Sequence, residues 1–570
     1  MPKLIYGAFC AGFAALLATA ALAQTADELK ADASTTDNVL TLGMGQGQQR
    51  YSALDQINKS TVKRLVPVWS YSLNDGRGQE SQPLIYKGVM YVTTHQSTHA
   101  IDAKTGRQIW QHKIEYPPET PRIVCCGIIN RGAAIYDGKI FRTTLDANVI
   151  ALDAATGEQL WLANAASVKD SFSMTVAPLV ANGVVITGVS GGEYGVRGFI
   201  DGWDPATGKR LWRRFTTAAP GEPGGDTWPG DTYKHGGGTT WLTGSYDADL
   251  DLVYWGAGNG GPWNAEFRKG DNLYTNSVLA LKPKTGEIAW HYQYSPNGRF
   301  DHDGTNESIM ADVTINGEKH KAIMHADRNG YFYVIDRTNG KLLAANQYVD
   351  NLNWADGIDM KTGRPILSAT TKRLQAGETV EIWPSAFGGK NWSPMSYSPN
   401  TGLAYANTLE VGVVYAPIEP KFVKNAFYWG YDFGKLQFQF KKDSAHSYLR
   451  AIDPVTGSTK WKVASDVGNW GGTITTGGGL VFTGALTGEF RAFDADNGKQ
   501  LWQFQTGSGI IGQPVTWQQD GRQYVSVASG IGGAFAIFIP ILGTSNMKLV
   551  EELGKIQPGG SVWTFALIEE

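Results

Sequence analysis

The chain has 570 residues, of which 18% are charged, and a formal net charge of −3 at neutral pH. That balance supplies no basic field for nucleic acid, and past the N-terminus no apolar run is long enough to span a bilayer. Seventy glycines and 19 tryptophans point to a globular protein rich in strands and turns.

Residues 1–23 begin Met-Pro-Lys, continue through an apolar run from Leu4 to Leu22, and end Ala21-Leu22-Ala23 before Gln24. One basic residue, an apolar stretch and small residues at the cut describe a signal peptide. A membrane anchor is the alternative, but the Ala/Thr-rich run favours cleavage. Cys10 follows Phe9 and lacks the small residue expected before a lipidated cysteine. Residues 24–570 are therefore expected to work in an oxidising compartment, a periplasm, where a disulfide persists.

One pattern then recurs: apolar-x-Asp, a short spacer, Gly, three residues and Trp. It runs from Ala100 to Trp110, Ala151 to Trp161, Gly202 to Trp212, Ala280 to Trp290, Ala451 to Trp461 and Ala492 to Trp502. A degenerate copy from Val334 to Gly340 lacks the Trp. Each copy predicts a strand, a tight turn with Gly at positive φ, and a second strand ending in Trp. Trp110, Trp161 and Trp212 stand 51 residues apart, a spacing that suits one four-stranded blade per repeat. With Trp69 and Val562-Trp563-Thr564-Phe565 sharing a closing blade, the sequence predicts an all-β, eight-bladed β-propeller in which the tryptophans dock between blades. The repeat residues are structural. Two stretches break the period, 218–238 and 348–440, and are expected to form the wall and cap of a site.

Cys125 and Cys126 are adjacent, the only cysteines after Cys10. Joined to each other they close essentially no loop, so they cannot staple a fold. A rigid local platform, two buried thiols and a metal half-site are the readings open, though adjacent cysteines suit a metal poorly. Further clusters depart from the repeat: Gln79-Glu80-Ser81, Asn130-Arg131, Ser190 to Gly198, Gly236 to Trp241, Gly256 to Asn264, Phe300 to Gly304, His325 to Gly330 and Gly388 to Trp392.

In this order, with the paired cysteines, these clusters resemble the quinoprotein alcohol dehydrogenases, which use pyrroloquinoline quinone (PQQ), of the periplasmic methanol/ethanol dehydrogenase type. The match covers nearly the whole mature sequence. It implies a flat cofactor between Trp241 and a Cys125–Cys126 ring. Cofactor contacts are implied at Glu80, Arg131, Thr175, Ser190, Gly191, Gly192, Thr239, Arg328, Asn391 and Trp470, with Arg suited to the cofactor's carboxylates. Glu193, Asn259 and Asp301 are the implied metal ligands, all oxygen donors that suit a hard cation. Asp303 matches the additional carboxylate of the lanthanide-dependent branch, with Ca²⁺ as the alternative. Asp301 is the implied base for the alcohol proton, and Arg328 is the second catalytic group, hydrogen-bonding the quinone oxygen.

Phe300 stands where the family commonly has Trp, and Gly127 where Asp is often found. There is no Cys-x-x-Cys-His, so no covalent c-type haem is expected. A small alcohol as substrate, a separate soluble cytochrome c as electron acceptor, and a homodimer are implied. Two rivals remain: a non-catalytic propeller scaffold, and a Ca²⁺-dependent enzyme for a larger hydroxylated or polymeric substrate. The apolar run from Ala426 to Trp429 either caps a pocket or packs between blades.

Overall fold

A computed structural model describes residues 24–442, 444–465, 467–534 and 546–568. The expected signal peptide and Cys10 lie outside the described residues, among which no helix is long and apolar enough to cross a membrane.

Each tryptophan repeat folds as one hairpin of an antiparallel sheet. In the first copy, strands Ser97–Asp102 and Gln108–Lys113 pair with a register shift between Ala100 and Ile101. The Asp102 carboxylate turns the chain between them, its Oδ1 accepting the N–H groups of Lys104 and Thr105 at 3.1 and 2.8 Å. Gly106 follows at φ 72°, a conformation glycine adopts without steric cost. Leu84–Tyr86 and Val89–Thr93 complete a four-stranded meander. The same order recurs over residues 134–164, 179–215, 245–293 and 309–347.

The stretch 348–440, expected as one irregular insertion, is interrupted by two strands of a further meander. Ser396–Ser398 and Leu403–Leu409 join Ser447–Ile452 and Thr459–Ser465. They carry no Asp-Gly-Trp signature, which is why the sequence pattern passes over them. What remains of the insertion folds as the hairpin Ala355–Asp359/Arg364–Leu367, the helix Ala369–Gln375, and a three-stranded sheet of Val380–Ile382, Gly412–Tyr415 and Gln437–Gln439. Residues 473–505 form the next meander, extended by Tyr51–Ser52 running parallel to Thr473–Thr476. In the last sheet Leu65–Ser72 pairs with Ser561–Leu567, joining the two ends of the chain as the sequence predicted.

The tryptophans tie successive sheets together. Trp69, Trp110, Trp161 and Trp212 donate Nε1–H to Ala103, Ala154, Pro205 and Pro283 of the following sheet at 2.9–3.1 Å. Each ring also covers that sheet's turn glycine. A Cβ on Gly157 would strike the Trp110 ring. Trp290 covers Gly340 in the same way. Where the degenerate repeat lacks Trp, Asn346 stands in, its Nδ2–H donating to Val455 O at 2.9 Å beside Gly457. Trp461 reaches Ala495 O at 2.9 Å, and Trp502 reaches Leu65 O at 2.9 Å, in the sheet from which Trp69 starts. The apolar core accordingly lies between sheets, as where Ile135, Phe141 and Ile150 pack with Leu84, Tyr91 and Val185.

Candidate active site

In a meander, the chain leading into the first strand and the link from second to third strand fall at the same end of the sheet. The clusters that break the repeat occupy those two places. Arg131, Thr175, Trp241, Asp301, Asp303, Asn391 and Trp470 precede first strands of successive sheets; Ser190, Glu193, Asn259 and Arg328 lie in second-to-third links. All of these but Asn259 converge on one cavity of about 200 Å³. Cys125, Cys126, Arg131, Thr175, Ser190, Gly191, Glu193, Thr239, Trp241, Asp301, Asp303, Arg328, Asn391 and Trp470 all line it. Glu80, Gly192 and Asn259 do not. Glu80 lies behind Arg131, Gly192 abuts Thr239, and Asn259 supports Asp303.

Cys125 and Cys126 are joined by a disulfide with their Cα atoms 3.8 Å apart, which removes the free-thiol and metal half-site readings. Trp241 forms another wall. The Arg131 guanidinium sits 4.7 Å from its ring centre and that of Arg328 5.3 Å, within cation–π range. Arg131 is anchored by Glu80 at 2.9 Å and by Thr175 Oγ1 at 2.6 Å. Burial pushes Glu80 up to about 7 against the opposing pull of Arg131.

Three carboxylates share the cavity. Asp303 Oδ1 accepts the Asn259 N–H at 2.8 Å, and Oδ2 accepts Trp241 Nε1–H at 3.1 Å. A side chain on Gly258 would collide with Asp303 Oδ1, so the close approach of this carboxylate requires glycine there. Arg328 reaches Asp303 Oδ2 at 3.4 Å and Asp301 Oδ2 at 3.6 Å. Asp301 Oδ1 is buried and has no hydrogen-bond partner. Asp301 also holds φ 59°, a left-handed conformation that costs a non-glycine residue and persists only when its surroundings enforce it. Burial, with Asp303 and Glu193 beside it, raises Asp301 well above the ordinary carboxylate range, while Arg328 opposes the rise. Burial and then Asp303 push Glu193 up to about 7.

These residues fit a hard cation. The donors are oxygens, and two carboxylates carry raised pKa values that a positive ion between them would relieve. Among the described residues, the group of three potential ligands whose atoms lie within 4.8 Å of one another is Cys125, Cys126 and Glu193. Its sulfurs are bonded to each other and offer no thiolate; Glu193, Asp301 and Asp303 supply the anionic oxygens that line the cavity but are not gathered within that distance of one another.

Residues 41–348 and 459–525 match the protein family described as "PQQ: Glucose/ethanol/alcohol dehydrogenase, beta-propeller domain". The chain belongs to the PQQ-dependent alcohol dehydrogenases. It is 42% identical to the quinoprotein alcohol dehydrogenase PedH of Pseudomonas putida, over 97% of this chain and 95% of that protein. It is 37% identical to the lanthanide-dependent methanol dehydrogenase of Methylacidiphilum fumariolicum, over 97% and 96%. The solved structure of a europium-containing methanol dehydrogenase superposes with a TM-score of 0.89 at 36% identity, covering 95% of this chain and all of that one. The tryptophan-tied sheets are thus a propeller fold of this dehydrogenase family.

Against that family, the two departures have local explanations. Gly127 holds φ 100°, and a Cβ there would lie 2.6 Å from Gly533, so a residue with a side chain does not fit. Phe300 packs against Trp354 and Tyr415 with ring centres 6.2 and 5.8 Å apart. The run from Ala426 to Trp429 is a cap: Phe427 and Trp429 line the cavity with Phe433 and Phe438, and Trp429 stacks on Trp263 at 4.7 Å. Trp263, Trp392, Phe387, Phe433 and Phe438 were not singled out from sequence. The first two sit in clusters that were flagged; the others fall in non-periodic chain with no local signal.

Proposed function

We propose that the cavity binds PQQ with one metal ion and that the chain oxidises primary alcohols to aldehydes. The observation that carries this reading is the Asp301 carboxylate, whose Oδ1 is buried in the cavity without a partner beside a guanidinium and two other carboxylates. An acceptor left unsatisfied in a buried place costs stability, and it is placed to receive a substrate's hydroxyl proton.

In this reading the Trp241 ring and the Cys125–Cys126 disulfide, both lining the cavity, would hold the flat cofactor. Arg131, Thr175, Ser190, Gly191, Thr239, Asn391 and Trp470 meet its rim, and Glu80 and Gly192 act through Arg131 and Thr239. Glu193, Asn259, Asp301 and Asp303 would hold the metal. When bound, PQQ supplies a quinone that accepts hydride from the alcohol carbon, and the metal supplies a Lewis acid. Asp301 takes the hydroxyl proton. A cation beside it lowers its pKa and keeps it ionised, as a base must be. Arg328 orients that carboxylate and places positive charge where a quinone oxygen gains negative charge. The aromatic side chains that line the cavity favour apolar alcohols.

Three carboxylates around one ion balance a trivalent charge, which favours a lanthanide over Ca²⁺, with Asp303 as the deciding ligand. The tryptophan contacts, with Asn346 at one junction, run from sheet to sheet and return to the first, which supports an eight-bladed ring. The vicinal disulfide and the signal-peptide pattern support a periplasmic protein, with a separate soluble cytochrome c as acceptor. Replacing Asp301 with Asn should lower turnover by about 10²–10⁴-fold with the melting temperature maintained. Replacing Asp303 with Ala should abolish lanthanide-supported turnover. Full activity in the Asn variant would overturn the assignment of the base; unchanged lanthanide activity in the Ala variant would overturn the ligand role of Asp303.

A further inference from the structure

The segment that carries Asp301 is held in an unusual way. Four consecutive carbonyls, those of residues 299–302, each accept a hydrogen bond from a side chain. Tyr431 OH donates to Arg299 O at 3.2 Å, Tyr415 OH to Phe300 O at 2.9 Å, Arg328 Nη1 to Asp301 O at 3.2 Å, and Asn276 Nδ2 to His302 O at 2.6 Å. Buried carbonyls need partners, but here no strand ladder supplies them, because Asp301 at φ 59° breaks the extended course of the chain.

Two of the four donors come from the cap. Tyr415 ends the strand Gly412–Tyr415, and Tyr431 sits in the bridge Pro417↔Tyr431. Both are buried, and their rings lie 4.7 Å apart. They are 115 and 132 residues from the carbonyls they hold. The chain between these two tyrosines also carries Phe427 and Trp429, which line the cavity.

We propose that Tyr415 and Tyr431 are positioning residues for alcohol oxidation: through their hydroxyls the cap fixes the strained backbone that aims the Asp301 carboxylate. The inference rests on Asp301 being the base. The cap therefore does two things with one piece of chain. Its aromatic side chains wall the substrate space, and its two hydroxyls set the geometry of the group that receives the proton. Removing one hydroxyl leaves the pocket walls, Glu193, Asn259 and Asp303 in place but frees the carbonyl it held, so the Asp301 carboxylate loses its aim. A displacement of about 1 Å at a reacting group can cost up to about 100-fold in rate, whereas the apolar contacts that set KM stay the same.

The test compares Tyr415→Phe, Tyr431→Phe and Asp301→Asn in the PQQ- and metal-loaded enzyme, measuring kcat, KM, cofactor content and amide hydrogen exchange across residues 299–302. Expected for both Phe variants is a kcat reduced about tenfold or more, KM and cofactor content unchanged, and faster exchange confined to that segment. An inactive Asn variant with Phe variants within about twofold of wild type in kcat overturns the positioning role while leaving the base intact. An active Asn variant overturns the base itself. If Tyr415→Phe does not fold, Tyr431→Phe decides, because its longer hydrogen bond and place in a loop make it the milder change.

Discussion

Asp301 and Glu193 keep their protons to a higher pH in the folded chain than in an unfolded one. Burial and the neighbouring Asp303 push Glu193 up to about 7, and Asp301 is raised well above the ordinary range. The metal-free folded protein therefore binds more protons than the unfolded chain across that interval. The contribution of each is complete below the ordinary carboxylate range; that of Glu193 is lost as pH rises through about 7, and that of Asp301 is lost as pH rises through its own raised value. The melting temperature of metal-free protein should fall between about pH 5 and about pH 8, and that fall should be reduced when the metal is bound, since a cation favours the charged carboxylates. Scanning calorimetry of both forms across that range checks it. A metal-free curve that is flat or rises would show that these carboxylates do not share one desolvated site. At this scale the clusters that hold Glu193, Asp301 and Asp303 were legible as interruptions of a strict repeat, while the roles of these three residues came only from the resemblance to the family. Tyr415 and Tyr431 were not legible, because their relation to residues 299 and 300 exists only across more than a hundred residues of intervening chain. The steric demand at Gly127 was not legible either, because it is set by the Gly533 backbone, far away in sequence.

The repeat is legible because one local solution is used many times. Asp accepts two amide protons, Gly supplies the positive φ, and Trp crosses to the next sheet's turn. Trp110 illustrates the energetics: its ring is 8% exposed, it covers Gly157, and its Nε1 donates to Ala154 O. Trp110→Ala should destabilise the protein by about 3–5 kcal/mol, read as a lower midpoint in denaturant. A change within about 0.5 kcal/mol would mean that the ring contributes no more than an ordinary surface side chain. Gly127→Ala should also destabilise, because it meets both an unfavourable φ and the Gly533 backbone. The element missed from sequence, Leu403–Leu409, is built of Leu-Ala-Tyr-Ala-Asn-Thr-Leu. Every residue after Leu403 is buried, so it lacks the polar alternation of a half-exposed strand, and the turn Ser398-Pro399-Asn400-Thr401-Gly402 that precedes it is not followed by the Asp-Gly-Trp pattern.

Across the described residues, an early segment and a late one meet in one sheet. Ser561–Leu567 lies between Leu65–Ser72 and Arg522–Ser529, pairing with both, so one late segment completes a sheet begun near the N-terminus. The disulfide plays no comparable part. Spanning adjacent residues, it removes almost no freedom from the unfolded chain. Its reduction should leave the melting temperature within about 2 °C while weakening cofactor retention, measured by absorbance after gel filtration. A large fall in melting temperature would show that the disulfide holds the fold, which its position argues against. The fold thus supplies a rigid frame whose sheet ends converge on one cavity, and the chemistry is concentrated in the few clusters that depart from the repeat.

Dye-linked oxidation of a short series of primary alcohols by the purified, PQQ-loaded protein, with La³⁺ or Ca²⁺ supplied separately, tests this assignment most directly. Turnover with La³⁺ and little or none with Ca²⁺ is the predicted result, produced by Asp303 joining Glu193, Asn259 and Asp301 around a trivalent ion. Turnover with Ca²⁺ alone would contradict the role given to Asp303. No turnover of any alcohol with either metal would contradict the alcohol dehydrogenase activity proposed for the site.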